Sequence, residues 1–538
     1  MKNGKKRWEL LNKSKINNPD EIIDALLKNR NIKNKKEFFN PLNPNKISLK
    51  SLGVKESEVK KAIERIKKAK RNKEKVIVYG DYDADGITAT AIMWEALHTF
   101  GLDVLPHIPD RFEEGYGINP QSIENLKSRV ENLKLIVTVD NGIVGYEGVK
   151  AANKLGIDVI VVDHHTKGDR PVKAFSIIHS TDTSGSGLSW FFAQQLVRQS
   201  NTLELAAIGT IADQLPLVDV NRSIVKYGLV ALNETKRHGL LALFEEGRVE
   251  NVGTYEVGYI IAPRINAMGR LKHGIESLRL LCTKDKNKAF DIAKNIGSTN
   301  IERQKIVEQV IILARKNVTD QKVIVIAGEN YHEGVIGLAA GRLVEEFYRP
   351  AIVLSTKGDI SKASARSISG FNIIEAIRGV NLHLEGGGHP MAAGFSIDTN
   401  KIDKFTKEIN KYADKLLVGE ILEKKLKIDC ELNFDQLNYD LLGKLQEFEP
   451  TGIGNPGATF VTKKVQIVEV KPVGKEKRHL KLKLKQGEYT FDSIFFGGGE
   501  MYPDLAPEAI IDIVYSLEDN SWNGYKNLQL KIKDIIIT

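Results

Sequence analysis

Asp81, Asp83 and Asp85 fall within five residues, in the run VIVYGDYDADGITATAIMWEAL that spans Val76–Leu97. Like charges so close repel one another, and a fold tolerates them where a cation or another positive partner collects them. Three further clusters carry the same kind of donor: Thr138-Val139-Asp140-Asn141-Gly142, Asp163-His164-His165, and GTIAD at Gly209–Asp213. Each alone has an ordinary explanation. An Asp-X-Asp can be a turn or a cap, an Asp after a strand often caps the next helix, and paired histidines can be surface residues. Together, at the ends of strands and helices, they point to a metal site. Carboxylates with one or two imidazoles and no thiolate suit Mn²⁺ or Mg²⁺. Bridging carboxylates suggest two such ions about 3.5–4 Å apart, which generate hydroxide and hold the entering and leaving oxygens of a phosphoryl group.

The elements that must position these groups are legible in the pattern. VIVYG, LIVTVD (Leu135–Asp140) and DVIVVD (Asp158–Asp163) are short, continuous, β-branched runs. They read as parallel strands buried on both faces, with helices between them. Asp81, Asp140 and Asp163 stand at their ends, where open parallel sheets bind ligands. Gly86 is expected to permit a tight turn into a helix starting near Thr88. An α/β layer fold follows. Glu276–Asn317 reads as mostly long helix joining domains. A second α/β unit holds strands at Val323–Gly328 and Ala351–Ser355 and helices at Gly334–Phe347 and around Lys401–Leu417. From about Glu423 alternating strands predict a small β-barrel. The expected divisions are an N-terminal segment 1–50, an α/β domain 51–275, a connecting helix 276–318, a second α/β domain 319–422 and a barrel 423–538.

The N-terminal segment is polar, and its NPLNPN tract (Asn40–Asn45) reads as loop. Lys55–Lys75 predicts an amphipathic helix whose basic outer face reads as solvated decoration, a phosphate-facing surface being the alternative. The second α/β unit supplies no acidic cluster. It offers Arg366, Gly387, Gly388 and His389: glycines let N–H groups approach an anion, and arginine grips phosphate bidentately. An ordinary glycine turn is the plainer alternative. In the barrel, GKEKRHLKLKLK (Gly474–Lys485) alternates cations with apolar residues and predicts one basic and one buried face. Tyr489, Phe491, Phe495 and Phe496 are candidates for stacking bases or for core. A formal charge of +9 permits a polyanionic partner without demanding one. Two cysteines, Cys282 and Cys430, make a disulfide framework or a cysteine-rich zinc site implausible. The basic N-terminus lacks the apolar core of a signal peptide. No apolar run approaches bilayer-crossing length, and a cytoplasmic protein is the simplest expectation.

Asp83/Asp85, Asp140, Asp163-His164-His165 and Asp213 resemble the four motifs of the DHH phosphoesterase superfamily. GDYDADGITATA, APRINAMGRL (Ala262–Leu271), HEGVIGLAAGRL (His332–Leu343), SARSISGFN (Ser364–Asn372) and GGGHPMAAGF (Gly386–Phe395) resemble its RecJ branch, the single-stranded-DNA-specific 5′→3′ exonucleases of repair and recombination. FEPTGIGNPGATF (Phe448–Phe460) resembles the start of that branch's C-terminal barrel, which implies an OB-fold feeding single strands to the nuclease. The resemblance implies that Asp83 binds a first cation and Asp85 a second, that Asp140 bridges them, and that His164 and Asp213 complete the second site. It implies that His165 lies beside the reacting phosphate, with Asp163 orienting the histidines, and that Asp81 is a direct or an indirect ligand. It also implies that the second α/β domain closes over the metals and positions the scissile strand. Arg264, Asn266 and Arg270 are expected to add contacts near the cleft, structural ion pairs being the alternative for the arginines. Some branches carry a His where Tyr79 stands here, which weakens the first site unless Asp81 compensates. Partners implied are single-stranded DNA and, as candidates, a helicase or a single-strand-binding protein. The rival readings are a phosphodiesterase for oligonucleotides or small phosphate esters, and a nonhydrolytic DNA-binding scaffold.

Overall fold

The structure, a computed structural model, describes residues 6–16, 18–197, 202–522 and 525–537. The chain divides into two compact units, Leu42–Leu422, and Met1–Pro41 together with Glu423–Thr538.

In the larger unit the three predicted strands form the centre of a parallel sheet. Its order is Asp103–His107, Lys75–Tyr79, Leu133–Val139, Asp158–Asp163, Ser176–His179. The two outer strands were not expected. They are short and partly exposed, so they lack the continuous apolar run that marks the central ones. The Ala84–Thr99 helix is buried on nearly every face, because it lies against the sheet and under the Gly185–Ala193 and Leu203–Ala212 helices. Asp83 caps it, accepting the Gly86 N–H at 3.0 Å. The predicted basic helix runs over Glu56–Arg71 and buries Val59, Ala62 and Ile66.

The expected connecting helix is two helices, Ile275–Cys282 and Lys286–Lys316. Asp285 makes the break by capping the second through the Asn287 and Lys288 N–H groups. The longer helix buries Ala289, Ala293 and Ile296 in the core of the first α/β layer. Val310, Ile311 and Ala314 further along lie in a core of the second. That second layer holds a mixed sheet in the order His383–His389, Ala392–Asp398, Ile360–Arg366, Ala351–Lys357, Ile324–Gly328.

In the other unit, Phe460–Val473, His479–Gln486, Tyr489–Phe495, Tyr525–Ile537 and Ile510–Trp522 close on one another as a five-stranded barrel. This is consistent with an OB-fold. A helix at Tyr439–Gln446 precedes it. Leu480, Leu482 and Leu484 are buried while Lys481, Lys483 and Lys485 are exposed, as the alternation predicts. The polar N-terminal segment contributes to this unit. Arg7–Leu10 pairs in parallel with Lys425–Ile428, and the Pro19–Asn29 helix buries Ile22, Leu26 and Leu27 in the barrel's core cluster. Among the described residues no helix is long and apolar enough to cross a membrane.

Candidate metal centre

The acids at the strand ends converge. His164 Nε2 lies 3.1 Å from Asp140 Oδ1, 3.6 Å from Asp213 Oδ2 and 3.9 Å from Asp85 Oδ2. Two donor groups emerge, Asp85 with His164 and Asp213, and Asp81 with Asp83 and Asp140. Asp140, His164 and His165 form a third grouping that overlaps both sides. Asp81 Oδ1, Asp140 Oδ1 and His164 Nε2 are buried without a well-directed hydrogen bond, the last two lying 3.1 Å apart. Buried polar atoms left without one are costly, and three of them in one oxygen- and nitrogen-lined site fit divalent cations. Asp81 is thus aimed into the site.

Local backbone explains the convergence. Asp140 takes a left-handed φ of 61° directly after its strand, a conformation an L-residue adopts at a cost. Asp85 is fixed by the Gly185 and Ser186 N–H groups, at 2.7 and 3.0 Å. Gly86 serves closeness rather than a tight turn. It lies inside the helix, and a Cβ there would sit 2.5 Å from Asp81 Cβ. Added side-chain carbon at Gly185 would meet Asp140, and at Gly209 would meet Asp85. These glycines leave room for the carboxylates.

Electrostatics follow from this crowding. Burial, then Asp85 and Asp83, raise Asp140 well above the ordinary carboxylate range. Burial and Asp83 do the same to Asp81. Burial, Asp85 and Asp83 push Asp213 up to about 8. Without cations the cluster therefore favours protons; two divalent ions would remove that need. His164 is pulled down by burial, which keeps the ring neutral as a ligand must be. His165 differs. Burial opposes its charge, but Asp163 outweighs burial through a hydrogen bond and raises the ring to about 9. Asp163 is lowered despite burial, because His165 and the Ile143 and His165 N–H groups stabilise its charge. Of the two histidines that Asp163 is expected to orient, its carboxylate bonds the His165 ring. The other His165 nitrogen, Nε2, faces the Tyr116 hydroxyl at 3.3 Å.

The phosphate-binding candidates separate. Asn266 Oδ1 accepts the Ala84 N–H at 2.7 Å, so it fixes the start of the Ala84–Thr99 helix. Arg264 is held by Glu246 and the Ile260 carbonyl, the ion-pair alternative. Burial and the charges of Arg111, Arg303 and Arg366 push Arg270 below the ordinary guanidinium range. Asp83 acts on it in the opposite sense. Arg270 also donates to the Gly334 carbonyl at 3.1 Å and Arg366 to the Ala365 carbonyl at 2.8 Å; an anion near these like charges would relieve their mutual repulsion. Gly387, Gly388 and His389 lie on an exposed edge strand paired with Ala392–Gly394. That is a strand rather than a glycine turn, and Gly388 takes a φ of +149° against the Ala392 carbonyl. None of the three belongs to the carboxylate–imidazole groups. Tyr79 is buried and its hydroxyl donates to the Gly117 carbonyl at 3.1 Å, so it is directed away from the donor groups.

Sequence reasoning missed Arg111, whose guanidinium lies over the Tyr82 ring at 5.0 Å. It also missed Tyr116, Arg303 and the Gly185–Ser186 N–H pair. Arg111 and Tyr116 sit in the loop Asp110–Gly117, which has no periodicity; its arginine beside aromatics was the only signal. Backbone donors leave none.

Comparison with known proteins places this geometry. The DHH family, N-terminal domain, matches residues 75–210, the DHHA1 domain residues 320–415 and the RecJ OB domain residues 428–534. The chain is 30% identical over 583 residues to the single-stranded-DNA-specific exonuclease RecJ of Haemophilus influenzae, covering 99% of each. It is 35% identical over 502 residues to the Bacillus subtilis protein of that name, covering 89% of this chain and 63% of that one. The crystal structure of RecJ in complex with Mn²⁺ from Thermus thermophilus superposes with a TM-score of 0.84 at 29% identity, over 99% of this chain and 80% of that one. With the three domains in order, full-length similarity and the shared fold, the chain belongs to the RecJ family.

Proposed function

We propose that the chain is a metal-dependent exonuclease that hydrolyses phosphodiester bonds of single-stranded DNA from the 5′ end, acting in the cytoplasm in DNA repair and recombination. The observation that carries this is the convergence of Asp81, Asp83, Asp85, Asp140, His164 and Asp213, with three buried donor atoms lacking a well-directed hydrogen bond. Similarity to relatives named as single-stranded-DNA-specific exonucleases supports the substrate. Relatives' structures with Mn²⁺ and with Mg²⁺ support those ions.

In this reading Asp81 and Asp83 would hold one cation, Asp85, His164 and Asp213 the other, and Asp140 would serve both. Such ions, when bound, supply Lewis-acid polarisation of phosphate and water. His165, held protonated by Asp163, stabilises charge on the reacting phosphate or protonates the leaving oxygen from Nε2. The guanidinium groups of Arg111, Arg270, Arg303 and Arg366 hold a further phosphate of the strand, which supports attack at an end. The exposed Lys481, Lys483 and Lys485 of the barrel supply a sequence-independent grip on the backbone. A helicase or a single-strand-binding protein that presents such strands is the expected partner. Retention of every acid argues against a nonhydrolytic scaffold.

The test is digestion of single strands labelled at the 5′ or the 3′ end, with Mn²⁺ or Mg²⁺ in turn. Early release of the 5′ label as mononucleotide, with the 3′ label kept in long fragments, is expected. The reverse order would overturn the polarity, and no release with either ion would overturn the activity.

A further inference from the structure

Thr254–Glu256, Val257–Ile261 and Ala262–Leu271 run on from one another as a single helical rod whose middle turn is a π turn. Single π turns inside helices are rare and concentrate at functional sites. Tyr255 and Tyr259 sit on this stretch, 63% and 73% exposed, the two most exposed large apolar side chains among those described. Their rings stack at 4.9 Å between centroids, with 29° between planes.

The position of this pair along the rod matters more than its exposure. Tyr255, Tyr259, Pro263 and Arg270 are spaced by four, four and seven residues, so they follow one face of the helix, and the wide π turn keeps the first three in line. Arg270 belongs to the guanidinium cluster, and Asn266 on the neighbouring flank binds the Ala84 N–H. On the inner side of the π turn, Gly258 lies against Ile211, two residues before Asp213. The rod thus begins in solvent with two aromatic rings, is buried at Ala262 and Ala267, and ends near Arg270, whose charge is felt by Asp83. Eleven residues separate Tyr259 from Arg270, about 16 Å of helix, or roughly five nucleotides at the 3.4 Å rise of a stacked strand.

We propose that Tyr255 and Tyr259 form a base-stacking platform that receives the incoming single strand about five nucleotides from the guanidinium cluster. The proposal rests on the reading of the chain as a nuclease for single strands. Every base offers a π-face, so such a platform is indifferent to sequence, and its contribution is insensitive to salt. It complements the phosphate contacts, which weaken as salt rises. Both tyrosines are positioning residues and touch no reacting atom.

The test pairs Tyr255→Ala/Tyr259→Ala with Tyr255→Phe/Tyr259→Phe. Anisotropy of a labelled strand of about fifteen nucleotides, without metal, reads affinity, and Mn²⁺-supported turnover reads KM and kcat. The alanine pair should weaken binding and raise KM roughly tenfold or more, by the same factor at low and high salt, with kcat unchanged. The phenylalanine pair should match the parent. A trinucleotide, too short to reach the rings, should be cut equally by all three proteins. Abasic residues at the fifth and sixth positions should cost the parent the same factor and the alanine pair nothing further. Unchanged affinity in the alanine pair would overturn the proposal, as would equal losses on the trinucleotide or a lowered Tm alone, which would mark the stack as a helix brace. Failure of the parent to cut any strand would instead defeat the nuclease reading, and the anisotropy arms would still decide the platform.

Discussion

Asp163 holds His165 twice: one carboxylate oxygen lies 2.8 Å from the ring Nδ1 and accepts the backbone N–H of the same residue at 3.1 Å. The ring's raised value of about 9 comes from this bond working against burial. A group whose folded value is raised adds stability that is full below its ordinary value near 6.5 and is lost as pH rises through about 9. Asp163→Asn should remove that increment. The alkaline limb of the activity profile should move to lower pH, because the ring then loses its proton sooner. A pH–rate profile of both proteins at saturating metal checks this, and superimposable alkaline limbs would refute it.

The two histidines should separate by metal occupancy. His164 Nε2 points among Asp140, Asp213 and Asp85, so His164→Ala should weaken binding of one cation. His165→Ala should keep both ions and lower turnover by about 10²–10⁴-fold, the range for loss of a general acid. Titration with Mn²⁺, followed by calorimetry beside single-turnover rates, distinguishes them. The reverse pattern would exchange the roles.

Asp140 belongs to one donor group and sets its Oδ1 3.1 Å from His164 Nε2 of the other. Asp140→Ala should abolish hydrolysis while leaving the fold intact, since in the proposed reading it removes the carboxylate common to both cations and relieves repulsion. Strand binding through the basic surfaces should persist. Near-parent turnover with metal controlled would reject the assignment.

Chelation should destabilise the protein more at high pH than at low. The Asp213 carboxyl rises to about 8 in the cluster. Such a group binds more protons folded than unfolded, so the metal-free protein loses stability as pH climbs from near 4 through 8. Tm with EDTA should therefore fall across that window relative to Tm with Mn²⁺, and the gap should narrow toward pH 5. A gap independent of pH would show that the carboxylates do not carry it.

Leu42–Leu422 should fold and cleave short strands without the rest of the chain, because every proposed ligand lies within that unit. Cutting at Val418 alone would strand Ile22, Leu26 and Phe38, which are buried against the barrel's residues. Relative to the full chain, Leu42–Leu422 should show lower affinity for long strands, a shallower dependence on salt and shorter processive runs. Binding at several salt concentrations and product-length analysis provide the check. Equal affinity, slope and run length would remove the barrel from the grip on DNA.

The residues that determined most of this protein were local ones. Short β-branched runs ending in Asp81, Asp140 and Asp163 fix a parallel sheet and gather acids at its carboxyl edge, since strand direction and side-chain alternation are set within a few residues. The alternation Leu480, Lys481, Leu482, Lys483 likewise determines a basic and a buried face. Other features depended on contacts between distant segments. The Gly185 and Ser186 N–H groups that aim Asp85 are backbone atoms, invisible in side-chain types. The charges of Arg111 and Arg303 act on Arg270 only when a loop and a long helix are brought near it, whereas Arg264, similar in its motif, is taken by Glu246. The N-terminal segment reads as polar, yet the apolar residues of its Pro19–Asn29 helix fall on one face and are buried in the core of a barrel that begins some four hundred residues later. Burial of that kind is set by which surfaces meet, and only the folded chain decides it.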